Sequence, residues 1–187
     1  TAEITTAEAT KATTTPPDTG DGDDENEATA TLTKDVTVTD GETNLLTTEF
    51  KINYSKIASG QHMNVFSFLD KDGNVINSIN MYCQAYDPSN ATETERYRIR
   101  PYHDAAGYLS GANVGNKLGM DITVRIEYDW TTGAMKVYTN GNLIEHTFTD
   151  NATTTPIASV KLEALVDTIV YTAEITTAEA TKATTTP

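Results

Sequence analysis

The 187-residue chain predicts an all-β fold, an antiparallel β-sandwich of the jelly-roll type. Three observations carry that prediction. Apolar and polar residues alternate with period two over several short runs, the mark of strands with one buried face. Turn-forming pairs, Asp72-Gly73 and Asn140-Gly141, stand between such runs. No segment longer than ten residues carries a 3.6-residue period. Many short strands at regular spacing close into a sandwich or jelly roll.

Taken in order, alternation begins at Ala28, Ala30 and Leu32 and continues through Val36 and Val38, all on even positions. Leu45 to Tyr54 is rich in β-formers, with Phe50, Ile52 and Tyr54 on one face. Met63–Leu69 forms a third run, and Asp70-Lys-Asp-Gly-Asn74 turns it into Val75–Ile79. Met81–Tyr86 reads as a further strand, followed by a loop at Asp87–Thr92. In Glu95–His103, Arg96, Arg98 and Arg100 share one face while Tyr97 and Ile99 share the other; Asp104–Gly119 reads as a loop.

The clearest local signals follow. Ile122, Val124, Ile126 and Tyr128 alternate, Asp129-Trp-Thr-Thr-Gly133 turns, and Met135–Thr139 returns. Asn140-Gly141 suits a type I′ turn, since both central residues of that turn need positive φ, and Asn142–Phe148 is the next strand. Ile157–Ala164 and Leu165–Tyr171 supply two more.

The two ends are the same. Thr1–Pro16 is TAEITTAEATKATTTP, and Thr172–Pro187 repeats it letter for letter at an offset of 171. The chain therefore divides into a Thr-rich segment with an acidic linker (1–27), a sandwich (28–171) and a second copy of the segment (172–187). Three arrangements explain the repeat: one period of a tandem array, one module with duplicated linkers, or a fibre subunit whose joining segment stands at each end. All three make the module one of a series. Seven of the sixteen residues are Thr and only Ile4, or Ile175 in the second copy, is large and apolar. Such a segment cannot order itself alone, and its Thr content favours extended chain. One physical way to hold it is as a strand added to a neighbour's sheet edge, with Thr1, Ala2, Glu3, Ile4, Thr5 and Thr6, or Thr172 and Ile175, making the contacts. The plainer alternative is a spacer, with sugars on its Thr residues.

Composition narrows the partners. A net charge of −14 argues against nucleic acid, which needs clustered Lys and Arg, and suits a soluble extracellular object. No run of eighteen apolar residues is present, so no membrane-spanning helix is expected. The single Cys83 is expected to be a small buried hydrophobe. Asn53, Asn90 and Asn151 stand in Asn-x-Ser/Thr sequons. Asp21, Asp23 and Asp24 form an oxygen-rich stretch that could take Ca²⁺, although EF-hand spacing is absent; otherwise no cofactor is expected.

Val124-Arg-Ile-Glu-Tyr-Asp-Trp-Thr-Thr-Gly133, Lys136-Val-Tyr-Thr-Asn-Gly141 and Val166-Asp-Thr-Ile-Val-Tyr171 resemble the C-terminal half of concanavalin A-like or laminin G-like jelly-roll modules of bacterial extracellular proteins. The resemblance covers Asp121–Tyr171 well and Phe50–Ile79 loosely. It implies the sandwich fold, and Ca²⁺ and glycan sites near the loops. Retaining glucanases of that fold resemble one another in an E-x-D-x-x-E strand; here Glu127 and Asp129 fit, but Thr132 replaces the second glutamate and leaves no proton donor. No enzyme is expected.

Two functions follow as expectations. The first is a non-catalytic extracellular structural subunit of a fibre or surface appendage, with identical units as partners. The second is a carbohydrate-binding module, with Tyr102, His103, Tyr108 and Trp130 as aromatic and hydrogen-bonding candidates for a glycan.

Overall fold

A computed structural model describes residues 11–12, 31–85, 97–103, 107–108, 118–147 and 152–184. The described strands are β1 (Lys11–Ala12), β2 (Leu32–Asp35), β3 (Thr37–Gly41), β4 (Leu45–Lys56), β5 (His62–Leu69), β6 (Val75–Ala85), β7 (Tyr97–His103), β8 (Gly107–Tyr108), β9 (Asp121–Asp129), β10 (Ala134–Thr139), β11 (Asn142–Thr147), β12 (Ser159–Ala164) and β13 (Val170–Ala183). They form two sheets packed face to face as a jelly-roll sandwich. One has the order β1-β13-β4-β9-β10-β11, with β3 also on β13, and the other the order β2-β12-β5-β6-β7-β8. All described pairs are antiparallel except β3 with β13, which is parallel.

Alternation explains the core. On β4 the side chains of Leu46, Thr48, Phe50, Ile52 and Tyr54 are buried, and on β9 those of Ile122, Val124, Ile126 and Tyr128. From the facing sheet come Met63, Phe66, Phe68, Ile79, Met81, Cys83, Ile99, Val160 and Leu162. Aromatic rings join the layers: Phe50 stacks on Phe66 at 4.6 Å between centroids, and Phe68 on Tyr128 at 5.4 Å. In the core the Tyr54 hydroxyl donates to Asn64 Oδ1 at 2.6 Å.

The turns follow their residues. Asn140 (φ 48°) and Gly141 (φ 80°) both lie in the left-handed region, as a type I′ turn requires. Asp70 Oδ1 accepts from the backbone N–H groups of Asp72 and Asn74, each at 2.8 Å, so the acidic loop after β5 is a turn held by its own carboxylate.

Three expectations change. Val75–Ile79 and Met81–Ala85 are one continuous strand, because Ile79, Met81 and Cys83 keep one alternation onto the core. The even-numbered run from Leu32 is not one strand: at Val36, whose N–H donates to Ala158 O at 2.9 Å, the chain passes from one sheet to the other. Val38 is consequently 50% exposed on the outlying strand β3. Finally, Leu165–Ile169 is not strand, and the last strand starts at Val170 and runs through Tyr171 into the repeated segment as far as Ala183.

Candidate functional site

The second copy of the repeat is a strand of its own sandwich. Thr172–Ala183 lie in β13, hydrogen-bonded to β4 along one side. The other side is flanked by β3 at Glu179–Ala183 and by β1 at Ala173–Glu174. The sequence suggested a strand added outside the fold; the structure puts this copy inside it.

A segment so poor in large side chains forms a buried strand because the neighbours supply the bulk. Across β13 and β4 the buried pairs are Ala173 opposite Ile52, Ile175 opposite Phe50, Ala178 opposite Thr48 and Ala180 opposite Leu46. Small residues on β13 thus meet mostly large ones on β4, and Ile175, 2% exposed, is the segment's one large apolar contribution to the core. Burying it contributes about 1.5–3 kcal/mol.

The register is fixed by a bulge. Ile175 pairs with Phe50 and Thr177 with Glu49, so Thr176 is an extra residue. Its hydroxyl donates to Glu49, with the backbone O at 3.2 Å and Oε1 at 3.1 Å. The bulge shifts the phase of burial from odd positions (Ala173, Ile175) to even ones (Ala178, Ala180). A slip of one residue would turn Glu and Thr inward along the whole strand.

Further contacts read the segment's backbone and its threonines. Thr48 Oγ1 donates to Thr177 O at 2.7 Å, Thr181 Oγ1 to Thr43 O at 3.0 Å, and the Ala183 N–H to Asn44 Oδ1 at 3.0 Å. Gly41 lies so close to Thr181 that a Cβ there would come 2.9 Å from the Thr181 Cβ, which explains a glycine at the end of β3. Gly41, Asn44, Thr48 and Glu49 were not singled out by sequence reasoning. The bulge did leave a signal, since the apolar positions of TAEITTAEA change parity at the Thr-Thr pair.

The other predicted residues are distributed as follows. Thr172 is exposed on β13. Trp130 is 2% exposed and packs in the core, so its ring has no free face for a sugar. His103 is 4% exposed, with Nε2 3.0 Å from Asn77 Oδ1. Both are corrected as glycan contacts, because the inward phase of their strand ends buries them. Tyr102 is half-buried on the opposite face of β7, in edge contact with His62 at 4.6 Å and near Tyr82 at 6.1 Å. The backbone of Tyr108 pairs with that of Tyr102.

Asn53 lies within β4, and its Nδ2, the atom a sugar would occupy, donates to Asp121 Oδ1 at 2.9 Å. Asn90, Asn151, Asp21, Asp23, Asp24 and Thr1, Ala2, Glu3, Ile4, Thr5 and Thr6 lie outside the described residues. Among the described residues no group of three or more His, Cys, Asp or Glu side chains is placed to hold a metal.

Cys83, Asp129 and Glu127 are each engaged within the fold. Burial pushes the Cys83 thiol up to about 11, which leaves it protonated and unreactive. Asp129 accepts from Thr131 N, Thr131 Oγ1 and Thr132 N. Burial raises its pKa, but these hydrogen bonds outweigh burial and leave it below the ordinary value. Glu127 pairs with Arg125. The fragment that resembles a glucanase strand is a turn and an ion pair.

No protein family matches the chain, and no curated protein sequence matches it. Solved structures similar in fold include a tetrameric galectin from the ball sponge Cinachyrella sp., at 10% identity and a TM-score of 0.41, covering 80% of this chain and 99% of that one. A seed lectin of Lotus tetragonolobus is similar at 15% identity and 0.46, covering 82% of each chain. An alginate lyase from Pseudomonas aeruginosa is similar at 14% identity and 0.46, covering 74% of this chain and 64% of that one. What the chain shares with these two lectins and the alginate lyase is the two-sheet sandwich, at an identity that transfers neither ligand nor activity.

Proposed function

We propose that the protein is a non-catalytic, extracellular structural unit, built in series into a fibre or surface appendage and joined through its repeated segment. The observation that carries this reading is the place of Thr172–Ala183 in the sheet. The sandwich takes the second copy as a full strand and only Lys11–Ala12 of the first as a short edge pairing among the described residues, while the chain carries two whole copies. The surplus copy has the residues that complete another sandwich of the same kind. In a covalent tandem array the same arithmetic holds, each copy closing the module before it and leading into the next.

The test is negative-stain electron microscopy and sedimentation of the full chain beside a chain lacking Thr1–Pro16. Filaments with a regular axial repeat are expected from the first, and separate folded particles from the second. Filaments that survive the deletion would refute a joining role for the segment.

A second reading, a glycan-binding module, is favoured by one observation: Tyr102 keeps partial exposure beside His62 and Tyr82 on the outer face of its sheet. It predicts retention on a polysaccharide column that Tyr102→Ala abolishes without altering assembly. Absence of retention by the parent protein would remove it.

A further inference from the structure

We infer that the β13 position is a slot for which the two copies are interchangeable occupants in a single register, Thr1–Thr13 replacing Thr172–Thr184 residue for residue. The inference deepens the structural-unit reading and rests on it for its role in assembly. The second copy then acts as an internal cap, and joining units means displacing it.

Everything the slot recognises in the second copy is duplicated in the first. Ala2, Ile4, Ala7 and Ala9 match the four buried residues Ala173, Ile175, Ala178 and Ala180, and Thr5 matches the bulge residue Thr176. Thr10 matches Thr181, which packs on Gly41 and donates to Thr43 O, and Ala12 matches Ala183, whose N–H meets Asn44. The bulge admits one register, since any odd shift turns Glu3 or Glu8 towards the core. The first copy is also close at hand: Lys11 and Ala12 pair antiparallel with Glu174 and Ala173 on the outer side of β13. The slot strand runs the opposite way, so entry requires release from that pairing.

Geometry lets the first copy enter from its own molecule or from another. Ala12 in the slot would stand at the place of Ala183, opposite Gly41. From there the 19 residues 13–31 must return to Leu32, which lies nine residues before Gly41 along β2 and β3. That distance is at most about 30 Å, and the linker reaches about 60 Å. Exchange between molecules therefore prevails only at protein concentrations comparable to the effective concentration of the tethered copy, on the order of millimolar, or where units are already held side by side.

The experiment places one charge in one copy of the full chain. Ile175→Asp disables the second copy, Ile4→Asp the first, and the double variant both. Denaturant unfolding is expected to show Ile4→Asp and Ile175→Asp close to the parent, and the double variant with a folding equilibrium constant lower by about a hundredfold or more. Ile175→Asp as unstable as the double variant would overturn the inference. Register is read by adding Glu8→Cys and Thr47→Cys to Ile175→Asp, because Glu179 pairs with Thr47. An oxidative cross-link between positions 8 and 47 is expected, and its failure in a folded protein would overturn the stated register.

The oligomeric state of Ile175→Asp separates the two ideas. A mass that rises with concentration upholds both. A folded monomer at every concentration upholds the slot and refutes joining through it. Loss of the rescue while the parent still forms filaments refutes the slot alone.

Discussion

The hairpins β9–β10–β11 and the strand β13 belong to one sheet, and their sequences specify strand in opposite ways. β9 carries four large apolar residues, Ile122, Val124, Ile126 and Tyr128, and its turns are built from Asp129, Gly133, Asn140 and Gly141. That region encodes its conformation locally. β13 carries Ala, Thr and one isoleucine over its repeated part, and takes its bulk from Phe50, Ile52 and Leu46 across the interstrand boundary. A strand that depends on its site more than on itself can be supplied by another stretch of the same sequence. The comparison thus bears on function, since a locally encoded hairpin has no substitute in the chain while the last strand has one.

The sharpest way to break the comparison is to make the same change in both regions. Ile126 and Ile175 are both buried isoleucines of the same sheet. Ile126→Ala should cost about 2–5 kcal/mol, from lost transfer free energy and the cavity left behind. Ile175→Ala should cost much less, because the first copy still offers Ile4. Where both copies reach the slot equally, the loss is on the order of RT ln 2, about 0.4 kcal/mol. Equal losses in urea unfolding would mean that β13 is as irreplaceable as β9.

Legibility in the sequence follows the same division. The sandwich class and most strands from Leu45 to Thr147 that fall within the described residues were readable because large apolar residues alternate between turn signals; the exceptions are β8 (Gly107–Tyr108), inside a stretch that reads as a loop, and β6, which reads as two strands. Trp130 and His103 were singled out as aromatic or polar glycan candidates, although each continues the inward phase of its strand, set by Ile122 to Tyr128 on even positions and by Tyr97 and Ile99 on odd ones. The slot was not readable. TAEITTAEATKA lacks the apolar content of a core strand, and only the residues opposite it make it one. Nor does the crossing at Val36 leave a mark, because the even-numbered alternation continues across it while the chain changes sheets. The repeat itself was plain, and what it lacked was a place in the fold.

A smaller effect tests the locally encoded side. Gly141 has φ 80°, with open space where a Cβ would lie. Gly141→Ala meets no clash, so its cost is purely that of holding an L-residue in the left-handed region, about 1 kcal/mol. A shift of the urea midpoint is expected at unchanged slope. A neutral result would show that packing of β10 on β11, and not the turn, sets the hairpin.

The smallest expected effect concerns Asp129, whose hydrogen bonds from Thr131 and Thr132 hold its carboxyl below the ordinary value despite the opposing influence of burial. A folded-state pKa below the unfolded one means that the ionised carboxylate is favoured by folding. Its contribution is fully present above the unfolded value of about 4 and is lost as pH falls through the folded one. Asp129→Asn keeps an acceptor oxygen but not the charge, and the side chain is partly solvated, so the difference should be a few tenths of a kcal/mol to about 1 kcal/mol at pH 6. It should shrink as the pH is lowered through 4 towards 2, when the parent carboxyl is itself neutralised. A gap between parent and variant that stays constant over that range would mean that Asp129 holds its turn as a hydrogen-bond acceptor whatever its charge. The hairpin would then be encoded by shape alone, as β13 is, and the contrast between the two regions would narrow to the number of large side chains each brings to the core.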